Sequence, residues 1–489
     1  MIKPTQKTRE YTRNDLIKAI GATILCLLVV VFTSIIKFYI IGQPVSSGIW
    51  SCILTLSVMM AIFMGGLLMF VLVARTEMIK NVKSYLAHLT VVTVTFVIHL
   101  FVSIISPLLM LPGLSAMVIL QISRQKHDAF IFNLLETMMI MCVLLLESVM
   151  TEWEVLMLLG GGDGAYLWYL GCISLVGVGS GAFLPLLLQN KTRRVNYLIV
   201  GFFQMLASAI IFVLTLLVCD KSEIILTNFW MPMLASALTV IVSPILFPII
   251  EGIFNLVTEN RLIELTNSSQ PLLRKLAIEA PGTYNHSLTV SNFAEMCATA
   301  IGEDPYLARA AAYYHDIGKL TNPSFFAENQ SGYNPHDDLL PEVSAEIIRN
   351  HTTDGYQILK ASRIPEEIAI VAIEHQGTLP ITVFYNKAKA LTDGDVDVDE
   401  YRYHGATPTS KIAGIIMICD SSEAAIRAMD KPDGEKINAL LTSIINERIQ
   451  KGQFDNCELS LQDIDVIKNT IIDAFGGVFH QRVKYPGGH

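Results

Sequence analysis

The first half of this chain is a succession of apolar runs, each about long enough to cross a lipid bilayer, and that feature leaves few folds open. A hydrocarbon core about 30 Å thick takes about 20 residues of helix. Backbone polar groups in lipid must be satisfied inside the spanning element. Candidate spans lie at 19–41, 50–74, 86–107, 129–150, 166–189, 195–219 and 225–250. An eighth, shorter segment at 108–123 is set off from the preceding helix by Pro112 and Gly113. It reads either as a short return span or as a re-entrant hairpin. The first run is too long for a cleaved signal peptide, and no small-residue cleavage site follows it. Composition agrees: 52% of residues are hydrophobic and 16% charged, against roughly 25% charged in an average soluble protein.

Basic residues give the expected orientation. The arm at 1–18 carries Lys3, Lys7, Arg9, Arg13 and Lys18, and further clusters stand at Arg75/Lys80/Lys83, Arg124/Lys126 and Lys191/Arg193/Arg194. The alternate loops at 42–49 and 151–165 have no Lys or Arg, and Lys221 alone marks the last. Eight crossings with both termini in the cytoplasm satisfy this pattern. Glu136, Glu147, His99 and Asn133 fall within or near the ends of spans. An acid at the bilayer centre costs about 2.5–3.5 kcal/mol on insertion scales, so these residues are expected to face the bundle interior, either as a ligand or proton site or as interhelical hydrogen bonds, with an interfacial position the other option for Glu147.

The composition changes near Glu251. Residues 251–280 read as a helical connector, with Pro271 placed to open a helix. Apolar residues at three- and four-residue spacing then mark helices at 286–301, 306–317, 341–360, 365–375, 409–430, 435–452 and 461–475. A short strand is expected at 380–385, loops at 321–340 and 393–408, and a frayed tail at 481–489. The expected fold class is all-α: a polytopic transmembrane helical bundle over 19–250, followed by a cytoplasmic all-helical domain over 281–480. A net charge of −9 without a long basic run gives no footing for nucleic acid. The eight cysteines are scattered with no CxxC pair, so neither a disulfide framework nor a zinc ribbon is indicated.

The soluble half holds His286, the adjacent pair His315-Asp316, His351, His375 and Asp420. Taken singly, each is more often a core residue than a ligand. As an ordered set in one helical domain they suit a metal centre. Neighbours on a helix project about 100° apart, so one carboxylate can bridge two ions while the adjacent imidazole binds one of them. Imidazole plus carboxylate suits Mn, Fe, Co or Zn without selecting among them. Two such ions about 3.5–4 Å apart can activate water and neutralise a phosphate in flight. In the sequence AAAYYHDIGK, Gly318 is placed as a helix cap.

The stretches PLLRKLAIEAPGTYNHSL, AAAYYHDIGKL, FFAENQSGYNPHDDL, SAEIIRNHTTDG, IEHQGT and MICDSSEAA, spanning about 271–425, resemble the HD phosphohydrolase superfamily. More narrowly they resemble its bacterial seven-transmembrane branch, the PgpH-type cyclic-di-AMP phosphodiesterases. The membrane half matches in architecture only. The resemblance implies a di-metal centre held by His286, His315, Asp316, His351, His375 and Asp420, with two divalent transition ions, Mn or Fe foremost. It implies Lys319 as a phosphate contact and Asp316 with Lys319 as the catalytic pair. Gly377, Arg402 and Tyr403 are expected at the substrate.

Two departures bear on this. The family's HHGT is His375-Gln376-Gly377-Thr378 here, and an amide oxygen is a poorer ligand than imidazole for such ions. The second ion site is therefore expected to be weak, water-completed or empty, with His404 either supplying the missing imidazole or standing as an exposed loop residue. The family's RYPGPKPxxKE is matched here by RYHGATPTSKI, which keeps Lys411 and has Ile412 in place of the acid. The family's large extracellular region after the first span has no counterpart in residues 42–49. Sensing would then fall to the bundle, a membrane partner or a homo-oligomer.

Phe325, Phe326 and Tyr333 could stack on adenines or pack in the core. The acidic run from Asp393 to Glu400 reads as a solvated loop. The expected function is metal-dependent hydrolysis of cyclic-di-AMP to pApA at the cytoplasmic face of the cell membrane. The alternative is a catalytically impaired nucleotide receptor signalling through the bundle. A transporter has less support, because the spans lack a recognisable substrate path.

Overall fold

The computed structural model describes residues 12–40, 47–123, 125–150, 165–188, 194–218, 228–391, 395–430 and 433–478. Several sequence expectations fall outside these: Lys3, Lys7, Arg9, Arg124, Lys191, Arg193, Lys221, Asp393, most of the two bare loops and the tail. The chain divides between Thr258 and Glu259 into two compact units.

The first unit is helical: α1 (Arg13–Ile40), α2 (Ser47–Ala74), the short α3 (Thr76–Lys80), α4 (Val82–Ile105), α5 (Leu114–Ser123), α6 (Lys126–Met150), α7 (Ala165–Leu188), α8 (Arg194–Val218) and α9 (Trp230–Phe254). Seven of these are long and apolar enough to cross a membrane, one fewer than the expected eight passes. The shortfall is the segment 108–123. It folds as a 3-10 turn at Pro107–Leu109, an irregular stretch, and α5, which has 10 residues. At 1.5 Å per residue α5 is about 15 Å long, half a hydrocarbon core.

The segment nevertheless returns the chain. Arg75 Nε lies 3.0 Å from Asp128 Oδ1, so the start of α6 shares an end of the bundle with the end of α2. The irregular stretch is tolerated because protein shelters it. Leu111 O faces His99 Nε2 at 2.8 Å. Gly113 takes φ +71 where a Cβ would stand 2.7 Å from Leu184 Cδ1, so only glycine fits this turn.

Each polar residue singled out in the spans has a partner on another element. His99 Nδ1 is 3.0 Å from Glu136 Oε1. Asn133 donates to Gly177 O at 3.0 Å and accepts from Ser115 Oγ at 3.2 Å. Glu147 pairs at 2.6 Å with Lys37, which also donates to Ser103. Lys37 is itself fully buried, inside the first candidate span.

The second unit comprises α10 (Glu259–Leu265), α11 (Pro271–Glu279), α12 (Pro281–Ile301), α13 (Pro305–Tyr314), α14 (Pro341–Ala361), α15 (Glu366–Ala369), α16 (Val371–Glu374), α17 (Thr382–Leu391), α18 (Lys411–Arg427), α19 (Gly434–Gln450) and α20 (Leu461–Val478). Helix α18 is the core, with every residue from Ile412 to Asp420 buried. This is why its sequence is apolar on all sides rather than on one stripe. Among the described residues there is no strand. The expected strand at 380–385 is one isolated bridge, Pro380 with Arg402, followed directly by α17.

The 306–317 helix stops at Tyr314. His315 caps it and Asp316 leaves helical geometry at φ −104, ψ 14, opening a 3-10 turn over Ile317–Thr321. Gly318 is therefore no helix cap. Its role is close approach: a Cβ there would lie 1.9 Å from His351 O on α14.

Candidate metal centre

Five elements deliver the clustered side chains. Helix α12 carries His286 in its second turn, and the end of α13 carries His315 and Asp316. His351 lies midway along α14, His375 caps α16, and Asp420 closes the buried run of α18. The small residues Ala308 and Ala310–Ala312, all fully buried, let α13 approach its neighbours closely. His286, His315, Asp316, His351, His375 and Asp420 are all at most 8% exposed.

They form two groups that could each hold an ion and that share Asp316. In the first, His315 Nε2 and His286 Nε2 lie 3.3 and 3.7 Å from Asp316 Oδ2, and His286 Nε2 lies 2.9 Å from Asp420 Oδ1. In the second, His351 Nε2 and His375 Nε2 lie 3.4 and 3.5 Å from Asp316 Oδ1. One oxygen of Asp316 thus faces each group, as a bridging carboxylate would. The pair at 315–316 achieves this by ending a helix rather than by lying within one.

The tautomers follow from the outer hydrogen bonds. The Nδ1 atoms of His315, His351 and His375 face the carbonyls of Ala312, Ile348 and Ala372 at 2.7, 2.5 and 3.0 Å. A carbonyl only accepts, so each Nδ1 donates and each Nε2 is left to point inward. His351 Nε2 and His375 Nε2 then meet at 3.3 Å with no donor between them. Among the described residues His315 Nε2 and Asp316 Oδ1 are buried with no hydrogen-bond partner. Buried polar atoms are rarely left so. Converging lone pairs and an orphaned carboxylate oxygen fit divalent cations.

Charge tells the same story. Burial disfavours the imidazolium of His286, but Asp420 and Glu423 outweigh it and raise the group to about 9. Burial is likewise outweighed at His315, where Asp316 and Asp420 raise it to about 10. Without an ion, protons thus occupy the cation's place. Burial pushes His351 down to about 3, leaving it neutral, as a ligand must be. Burial opposes ionisation of Asp316, yet Lys319 and His315 hold it well below the usual carboxylate range. The same is true of Asp420 beside His286 and His315.

Lys319 Nζ lies 2.8 Å from both Asp316 Oδ2 and Glu328 Oε1, and 5.0 Å from the centre of the Phe326 ring. Gln376 is not placed as an inward ligand: its amide nitrogen donates to Asp420 Oδ2 at 2.8 Å. Tyr403 stands edge-on to His351 with ring centres 5.9 Å apart. Arg402 is turned to Asp399 Oδ1 at 2.6 Å and to Thr378 O, and Gly377 packs against Gln453. His404 is exposed beside Arg349 and belongs to neither group. Phe326 packs on His351, while Tyr333 is exposed and bonds to Asp338.

Sequence reasoning missed three residues: Glu423 behind His286, Glu328 behind Lys319, and Arg448, whose Nη2 donates to Ser421 Oγ at 2.8 Å. The spacing of Glu423 to Asp420, three residues along one helix, was the available signal for the first. A cleft of about 1050 Å³ opens beside the cluster, lined among others by His286, Lys319, Gln376, Asp420, Arg427 and Arg448.

Residues 283–425 match the HD domain family. The chain is 41% identical over 312 residues to the cyclic-di-AMP phosphodiesterase PgpH of Listeria monocytogenes serotype 1/2a (strain 10403S), covering 63% of this chain and 43% of that protein. It is 38% identical over 331 residues to the cyclic-di-AMP phosphodiesterase PgpH of Bacillus subtilis (strain 168), covering 67% and 46%. The chain thus spans less than half the length of these curated relatives. The second alignment is longer than all of Glu259–His489, so the likeness extends into the membrane unit. A crystal structure of the L. monocytogenes PgpH HD domain with cyclic-di-AMP is 45% identical, covering 44% of this chain and all of that one, at a TM-score of 0.43. Residues 283–425 are an HD domain, carried by a chain that is a homologue of the PgpH proteins.

Proposed function

We propose that this protein is a metal-dependent phosphodiesterase that hydrolyses cyclic-di-AMP to pApA at the cytoplasmic face of the cell membrane. The observation that carries the reading is the sharing of Asp316 by two groups of inward-pointing ligands, with His315 Nε2 and Asp316 Oδ1 making no hydrogen bond among the described residues. The names of the homologues supply the substrate.

His286, His315, Asp316 and Asp420 would hold one ion, and Asp316, His351 and His375 the other. When bound, such ions lower the pKa of water towards 7 and neutralise charge on the phosphoryl oxygens. The chain's own groups do the rest. Three histidines are held by backbone carbonyls with Nε2 inward, so cations can replace the protons on His286 and His315 without those three rings turning. Asp316 keeps its charge at neutral pH through Lys319 and His315. Lys319 is fixed at the cleft between Asp316 and Glu328, where it can turn one N–H to a phosphate oxygen. Arg427 and Arg448 give the wall of the cleft positive charge for a phosphate of a cyclic dinucleotide. Phe326 and Tyr403 wall off His351 from water.

One observation favours the receptor reading. Gln376 occupies an oxygen of Asp420 and brings no imidazole, which leaves the second group with three ligands. The test is pApA release from cyclic-di-AMP by the purified full chain, with Mn²⁺ and after chelation. Nucleotide binding without pApA under any metal would establish the receptor instead. For orientation, reporters fused after Lys126 and near Gly161 should face opposite sides, with Lys126 cytoplasmic. A shared side would refute the eight-pass topology.

A further inference from the structure

Three of the four histidines lean on neutral backbone carbonyls, and His286 does not. Its Nδ1 lies 2.5 Å from Glu423 Oε2, a carboxylate only 3% exposed, whose other oxygen is held by Arg427. We propose that Glu423 is a positioning residue that makes His286, His315, Asp316 and Asp420 the tighter of two ion sites, leaving Asp316, His351 and His375 as the looser, exchangeable one. This rests on the two-site reading above.

The physical reason has two parts. A carboxylate behind an imidazole fixes the ring and raises the basicity of its far nitrogen, where a carbonyl mainly fixes it; losing such a partner typically costs 10–100-fold in metal affinity. Charge adds to this. The first group adds Asp420 to the shared Asp316 and has Glu423 behind it, whereas the second has the shared Asp316 alone. Arg427 does not cancel the charge of Glu423, since its side chain is 51% exposed and screened by water. The position of Gln376 sharpens the contrast, because its amide supports Asp420 in the first group and adds nothing inward to the second. The centre should therefore load in order, with the ion beside His286 resident and the ion beside His351 arriving later.

The test is titration of the metal-stripped full chain in nanodiscs with Mn²⁺ alone, following free Mn²⁺ by electron paramagnetic resonance. Wild type should bind one ion tightly and a second more weakly. Glu423→Gln should weaken the tight phase by about 10–100-fold and leave the weak phase in place. His351→Ala should remove only the weak phase. With Co²⁺ in the tight site, the visible absorption should shift in Glu423→Gln, which a residue serving only the fold would not cause. If wild type binds no Mn²⁺, the two-site reading itself fails. If wild type binds two ions and Glu423→Gln leaves the tight phase and the Co²⁺ spectrum unchanged, that reading stands and the role of Glu423 falls. Should Glu423→Gln not fold, Glu423→Asp decides: its carboxylate retracts by about 1.5 Å, and tight-phase affinity equal to wild type overturns the proposal.

Discussion

The molecule buries a histidine against an acid in both of its units, and the two pairs are finished differently. In the membrane unit His99 has both ring nitrogens engaged, one by Glu136 and one by Leu111 O. The pair borders a cavity of about 40 Å³, which has room for a water. In the HD domain His315 Nε2 and Asp316 Oδ1 are buried and make no hydrogen bond among the described residues. Burial of an ionisable pair is common to both, so burial alone does not mark a ligand site. What separates them is whether the pair is complete without a guest. A complete pair belongs to the packing of the bundle; an incomplete one is held open by the fold.

The largest expected effect comes from breaking the incomplete pair. Asp316→Ala removes the shared carboxylate, so bound metal and turnover should both be lost, with helicity by circular dichroism retained. Retained metal in a folded variant would contradict the sharing. Lys319→Ala removes one of several cationic contacts and should lower rate and nucleotide affinity in part. Breaking the complete pair should act on stability. His99→Ala leaves Glu136 buried without its partner and should destabilise the bundle by about 3 kcal/mol. Thermal unfolding in nanodiscs reads this, and an unchanged midpoint would mean that the pair is not a structural element.

A pH series separates an empty centre from a loaded one. His286 and His315 are raised above the ordinary histidine value, to about 9 and about 10. A raised base adds stability that is full below about pH 6.5 and is lost as pH climbs through the folded value. The metal-free HD domain should therefore weaken between about pH 6.5 and 10. Saturating Mn²⁺ should remove or reverse that slope, because the ion requires the neutral rings. The smallest effect is at Gln376. Gln376→His should tighten the weaker ion and lower the Mn²⁺ needed for half-maximal activity. Identical titrations would show that the side chain at 376 does not limit the weaker ion.

Membrane-length apolar runs were legible because lipid imposes length and composition on each pass separately. The broken pass was half legible: Pro112 and Gly113 announced it, but the return to the Arg75 end depends on Asp128, a contact across 53 positions that no local pattern encodes. In the HD domain the ligand types were legible as a set. Their division into two groups was not, because it turns on Asp316 leaving the helix at the C-cap, and periodicity had continued that helix to residue 317. Thr382, Val383, Phe384 and Tyr385 are β-branched or aromatic and favour a strand, and in α17 tertiary packing overrides that preference. The sequence makes Gln376 a poor ligand; its bond to Asp420 gives it a different neighbour, set by α18 rather than by its own segment.

The central claim is that the cluster around Asp316 is completed by divalent cations and then cleaves a cyclic dinucleotide. Its most direct test is a turnover assay on the full chain in nanodiscs, stripped of metal and then titrated with Mn²⁺ in the presence of cyclic-di-AMP. The account predicts no pApA from the stripped protein, and product that appears with Mn²⁺ and disappears in Asp316→Ala. Cleavage at the same rate before and after rigorous metal removal would contradict it.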